Sequence, residues 1–324
     1  MIRYTCREAV ALIAVVLLIP QVAGAQPYPA RVVRFIVPFP AGAGADVTTR
    51  LYTPKLSEML GQQFIVDNRA GAAGNIGAEA AARAAADGYT MLVAPASLAS
   101  SPSLYKTLQF DLVRDFDPVA MLASAPFVLA VHPSVPAKNV RELISLAKAH
   151  PAQLTFASTG LGGINHLAAE LFKNLAQVDM LHVPYKGTST AIPDLVGGQV
   201  SLMFTSTLSS LPQVKAGRLR ALGITSAKRS LAAPELQTVA ESGLPGYESA
   251  TWFALLAPAK TPREIIMQLN QAVDKIGQTS EMRDRLVAQG AEPLTTTPEQ
   301  VAAFVKSEIA KWGKVIAAAG VRPE

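Results

Sequence analysis

The stretch FIVPFPAGAGAD, residues 35–46, decides how this chain reads. It starts as a short apolar strand, passes Pro38 and Pro40, turns glycine-rich, and empties into a helical pattern from Val47 to Leu60. A strand whose carboxyl end opens through glycines onto a helix start is where an open α/β sheet holds ligands. Glycines let backbone N–H groups come close to a bound group. The unpaired donors and partial positive charge of a helix start suit an anion. A second stretch of this kind, STGLGGINH at residues 158–166, also ends a strand and opens a helix. Either loop alone is equally what an ordinary βα turn looks like, because such turns are short and often carry glycine. Two of them in one chain imply a cleft with a loop on each side.

Outward from the first loop, the pattern is strand Val32–Val37, helix Val47–Leu60, strand Phe64–Asp67, a glycine-rich loop Asn68–Gly77, an alanine-rich helix to about Ala86, and strand Tyr89–Ala94. That β-α-β-α-β order is the mark of a parallel α/β layer. Pro54 is expected to kink the first helix or shorten it. Pro95–Ser103 reads as a Ser/Pro-rich loop. The apolar run Val119–Val131 exceeds an ordinary strand of about 5–6 residues and is expected to cross between domains.

A second α/β series follows: helix Asn139–Ala149, strand Leu154–Ala157, helix Ile164–Ala176, strand Met180–Pro184, helix Ser189–Val196, strand Val200–Phe204, helix Leu208–Ala216 and strand Leu219–Thr225. Ser249–Ala257 is apolar again and is expected to cross back, before helices at Pro262–Ile276, Glu281–Gln289 and Pro298–Ala319. Two α/β halves joined by two long segments give a hinged molecule with a cleft.

The amino terminus reads as an export signal: Arg3 and Arg7, the apolar run Ala9–Ile19, then Ala23-Gly24-Ala25. Eleven apolar residues are too few to span a bilayer, which takes about 20. Cleavage after Ala25 and a periplasmic mature protein are expected. The single cysteine, Cys6, lies within the signal, so the mature chain has no disulfide and no thiolate for a metal. Removal of Arg3, Arg7 and Glu8 takes the 29 basic and 24 acidic residues to 27 and 23, a net charge of +4. A mild, scattered positive charge helps attract small anions and does not suggest nucleic-acid binding.

Motifs for chemistry are missing. GAGADV lacks the third glycine of G-x-G-x-x-G, and there is no G-x-x-x-x-G-K-[ST], no G-x-S-x-G and no H-E-x-x-H. No cofactor is expected. A Ser–His–acid set built in space from Ser158, His166 and Asp46 stays open as a minor reading. His132, His150, His166 and His182 share no metal-ligand spacing, so no metal is expected. His166, at the second loop's helix start, reads either as a ligand contact or as a helix-start residue. His182, in an apolar strand, reads as packing. Phe39 is placed to touch a ligand, whereas Asp46 reads as a helix N-cap that fixes the loop. Trp252 and Phe253 read as core, with a place on the cleft floor as the alternative.

Together these residues resemble the Bug (TctC-like) family of periplasmic solute receptors of tripartite tricarboxylate transporters. The matching stretches are residues 28–47, 66–92, 102–122, 182–200 (HVPYKGTSTAIPDLVGGQV), 215–230 and 251–258 (TWFALLAP). The resemblance implies a two-lobed type II periplasmic-binding-protein fold, a small carboxylate ligand and integral-membrane transporter subunits as partners. It places lobe 1 at residues 26–124 plus 254–324 and lobe 2 at 125–253, with a monomer expected. Its ligand-binding positions fall on Phe39, Pro40, Ala41, Gly42, Gly44 and Asp46 in the first lobe, with Ser97 as a weaker member. In the second lobe they fall on Ser158, Thr159, Gly160, Gly163 and His166. Relatives commonly carry an aspartate where this chain has Thr205, followed by Ser206. Hydroxyls there favour a carboxylate ligand without an amino group. A sensory subunit for a histidine kinase and an exported hydrolase are the alternative functions.

Overall fold

The computed structural model describes residues 28–321. The expected export signal and its cleavage site lie outside them. The first strands are β1 (Val33–Val37), β2 (Phe64–Asn68) and β3 (Thr90–Pro95), with β1 parallel to both neighbours. Helices α1 (Gly44–Leu60) and α2 (Asn75–Ala82) make the crossovers, and α3 (Ser97–Leu104) follows β3. The second series is α4 (Val140–Ala149), β5 (Thr155–Ser158), α5 (Ile164–Ala176), β6 (Leu181–Pro184), α6 (Thr188–Val196), β7 (Leu202–Ser206), α7 (Thr207–Lys215) and β8 (Arg220–Ile224).

Two long strands connect these series, β4 (Phe116–Val131) and β9 (Ala250–Pro258). They lie antiparallel, from Phe116 opposite Pro258 to Pro126 opposite Ala250. Pro126 offers no N–H to extend that ladder. From Phe127 onward β4 pairs instead with β7 and β8. One strand therefore serves both halves, as its apolar length suggests. The strand order is β2-β1-β3-β9-β4-β7-β5-β6, with β8 also on β4. Helices α8 (Arg263–Gly277), α9 (Ser280–Ala288) and α10 (Pro298–Ala319) complete the chain. Val301, Val305, Trp312, Val315 and Ile316 of α10 are buried in a core shared with residues of both α/β series.

Several local expectations are corrected. Helix α1 starts at Gly44, not Val47, and its N-cap is Ala43, not Asp46. Pro54 sits inside this continuous helix and does not shorten it. The carbonyl it leaves without a partner belongs to exposed Arg50, where water can reach it, and Tyr52 and Leu56 are fully buried on either side. The Tyr52 hydroxyl also donates to the Leu122 carbonyl at 2.7 Å. Tertiary packing outweighs the local penalty. The expected loop Pro95–Ser103 is largely helix α3. Its serines satisfy themselves inside the helix: the hydroxyls of Ser100 and Ser101 donate back to the Ser97 carbonyl, and Ser101 also reaches Asn75 Oδ1 at 2.8 Å.

Candidate functional site

A cavity of about 790 Å³ lies at the carboxyl ends of the strands, between the two halves. Wall residue Ser206 caps α7 by accepting from Ser209 N–H at 3.2 Å, whereas the wall residues Ala43, Gly163 and Gly187 precede three more helices, α1, α5 and α6. None of the three has a side-chain cap. Away from the cavity, Asn139, Thr279 and Thr297 cap their helices with side-chain oxygens. Apart from His166 N–H, which donates to Asn165 Oδ1 at 3.0 Å, the first-turn N–H groups of these three helices have no side-chain acceptor, and their dipoles place partial positive charge at the cavity. Among the described residues, no aspartate or glutamate lines the wall, and Lys186 is the one formally charged residue that does.

The loops are shaped by glycine where it matters. Gly42 and Gly160 sit at φ +84° and +130°, conformations that disfavour any side chain. At Gly44, a Cβ would stand 3.2 Å from the Phe253 ring, so glycine lets that ring close against the loop.

Behind the first loop stands Asp46, buried in the first turn of α1. Its carboxylate accepts from Gly42 N–H at 2.9 Å, from Arg50 Nε at 3.0 Å and from Asn68 Nδ2 at 3.0 Å. Burial pushes its acidity the other way, but these donors outweigh burial and hold the carboxyl below the usual range.

The second loop is held by histidines. Gly162 N–H donates to His166 Nδ1 at 3.1 Å, which leaves the ring proton on Nε2, 3.7 Å from Glu170. Gly160 N–H donates to Ser158 Oγ at 3.1 Å, and Ser158 Oγ meets His182 Nε2 at 2.6 Å. The rings of Phe156, His182 and His166 stack, with 4.0 Å between the imidazole centroids. Burial, then the charges on His182 and Lys173, pushes the His166 pKa down to about 3. Burial and Lys173 lower that of His182.

Among the sequence-derived site residues, Phe39, Gly44, Ser97, Thr159, Gly160, Gly163, Thr205 and Ser206 come together on the cavity wall. Pro40, Ala41 and Gly42 are exposed but off the lining. Asp46, Ser158 and His166 are buried behind it. The Ser–His–acid set of Ser158, His166 and Asp46 is not assembled, since Ser158 pairs with His182 and Asp46 is engaged by Arg50. His182 is more than packing. It is the support for Ser158, made by a pairing 24 positions apart that no local pattern reveals. Trp252 is core, while Phe253 lines the cavity. Lys186 was missed, although the matching stretch 182–200 contains it. Among the described residues no cluster of three or more potential metal ligands occurs, and no helix is long and apolar enough to cross a membrane.

His166 gives a pH prediction. Its folded pKa lies below its ordinary value, so its stabilising contribution is complete above about 6.5 and is lost as pH falls toward 3. Over that interval it adds up to about 1.4 kcal/mol per pH unit to the acid sensitivity. In His166→Asn, which retains an acceptor for Gly162, urea midpoints should fall less steeply between pH 6.5 and 4. Parallel slopes for the two chains would refute this.

Comparison with known proteins agrees with the geometry. The model for "Tripartite tricarboxylate transporter family receptor" matches residues 48–321. Protein BugT of Bordetella pertussis is 38% identical over 300 residues, covering 92% of each chain. The structure of Rpa4515 from R. palustris with adipate is 39% identical with a TM-score of 0.77, covering 92% of this chain and 100% of that one. MatC from Rhodopseudomonas palustris with bound malate is 33% identical with a TM-score of 0.72, covering 89% and 100%.

Proposed function

Since the chain belongs to the tripartite tricarboxylate transporter receptor family, we propose that it captures a small carboxylate lacking an amino group and delivers it to a membrane transporter. The observation that carries this reading is the convergence of three uncapped helix starts on a cavity with no acidic lining residue among the described residues. Such a wall offers donors to a carboxylate and nothing to offset an ammonium group. The adipate and malate held by the two relatives have this chemistry. Thr205 supplies a hydroxyl in the same wall, whereas the Ser206 hydroxyl donates to Ser209 Oγ at 2.9 Å.

The mature protein would act in the periplasm as a monomer, after cleavage following Ala25. Capture needs no reaction. A ligand that touches the loops of both lobes binds the closed state better than the open one and shifts the population toward it. Closure removes water and strengthens each hydrogen bond to the charge. The cavity is larger than a small carboxylate, so closure or ordered water must fill the space the ligand leaves.

Thermal melting against diacids, citrate, aromatic acids and amino acids tests the reading. A carboxylate at about 100 times its Kd adds about 2.7 kcal/mol and raises the melting temperature. Mass spectrometry of the denatured supernatant first establishes that the cleft holds no co-purified ligand. Tight stoichiometric binding of an amino acid, or turnover of a carboxylic ester, would overturn it.

A further inference from the structure

Between α9 and α10 the chain passes Gly290, Ala291 and Glu292. Ala291 is buried in the core of the first α/β series, with residues of β1, β3 and α8. Glu292 then pairs antiparallel with Ser124 of β4: its N–H donates to the Ser124 carbonyl at 2.8 Å, and its carbonyl accepts from Ser124 N–H at 2.9 Å. Two residues on, Pro126 is the last residue of β4 paired with β9, and Phe127 takes up Thr225 of the second series. The Glu292 side chain crosses that junction. Its Oε1 accepts from Ser230 Oγ at 2.5 Å and from Leu231 N–H at 2.7 Å. Gly290 reaches the second series too. Its carbonyl lies 3.4 Å from the buried Thr207 hydroxyl in the first turn of α7, and a Cβ at Gly290 would stand 1.8 Å from that hydroxyl oxygen. Thr207 directly follows Thr205 and Ser206 of the cavity wall.

We propose that Glu292 is a positioning residue, a strap anchored on the first series that clamps the second, so that both loops face one cavity before any ligand arrives. One carboxylate oxygen takes two donors, and hydrogen bonds to a charged acceptor are about twice as strong as neutral ones. Without it, the buried Ser230 hydroxyl loses this acceptor. That loss weighs on the clamped arrangement alone, because water reaches the same groups once the halves separate, and the equilibrium shifts away from the clamped state. A binding-competent state that is already populated raises apparent affinity in proportion. The receptor reading supplies only the purpose of the strap; its contacts do not depend on the ligand.

The test uses the mature protein with its cleft shown empty by mass spectrometry. Hydrogen exchange and small-angle X-ray scattering are compared for the wild type, Glu292→Ala, Glu292→Gln and Ser230→Ala. The reporters are the amides of Thr225 and Ser249, which donate at the junction to the Phe127 and Thr225 carbonyls, each at 2.9 Å. In Glu292→Ala they should exchange at least about 5-fold faster, the lower end of an ordinary coupling between sites, and the radius of gyration should rise. The amides of β1 and β3 should keep their wild-type rates. Glu292→Gln retains an oxygen acceptor and should stay near the wild type, whereas Ser230→Ala removes one donor and should fall between. Unchanged junction exchange and size in both alanine variants overturn the inference. Equal acceleration in β1 and β3 overturns it as well, since that is general destabilisation. Because no ligand enters the experiment, a failed carboxylate panel strikes the receptor reading and leaves this result standing.

Discussion

Glu308→Leu is expected to lose about 4 kcal/mol of stability, read as a lowered urea midpoint. Glu308 is buried in α10, and its Oε2 accepts from Trp252 Nε1 at 2.9 Å and from Trp312 Nε1 at 3.0 Å. Both indoles are fully buried, and Lys311 pairs with the other carboxylate oxygen. Leucine would leave two buried N–H donors without an acceptor, at about 1–3 kcal/mol each. Because Trp252 belongs to the returning strand β9, the change also loosens the last helix from the segment that joins the halves. Glu308→Gln keeps an acceptor and should cost less than half as much. A Glu308→Leu protein with a wild-type midpoint would mean that water or rearrangement satisfies the indoles.

The second large effect concerns binding. Asp46→Ala should weaken capture of the best carboxylate by about 10–100-fold in isothermal titration, the scale of losing charge-assisted hydrogen bonds. The reason is positional: Asp46 does not line the cavity, but it holds Gly42 N–H, Arg50 and Asn68 in place behind the loop. Asn68 in turn donates to the Phe39 carbonyl at 3.0 Å, which ties the support to a wall residue. Asp46→Asn keeps an acceptor for Gly42 and should lie between the two chains. Equal affinity in all three would show that the loop holds its shape without the carboxylate.

The two loops look alike in sequence, yet their supports differ. The first is held by a permanent charge, the second by neutral imidazoles and a serine. Acid acts on the two supports by opposite charge changes, since Asp46 would lose its negative charge whereas His166 and His182 would each gain a positive one.

The alternation of strands and helices, the two glycine-rich loops, the crossing runs and the family are legible in the residues alone. These follow from local rules: apolar periodicity, glycine where φ must be positive, and helix starts after strand ends. Those rules also explain the local errors. Pro54 reads as a kink or a shortening and Pro95–Ser103 as a loop because propensity sees neither the burial of Tyr52 and Leu56 nor serine hydroxyls bonding to the preceding turn. Which loop atoms meet the cavity, that His182 supports Ser158, that Asp46 braces Gly42 from behind, and that Lys186 brings the charge emerge from the folded chain. Each of those facts depends on where the ends of β1, β5, β6 and β7 come together, and on the direction a side chain takes from there. Contacts between residues far apart in the chain set both, and no local pattern encodes them.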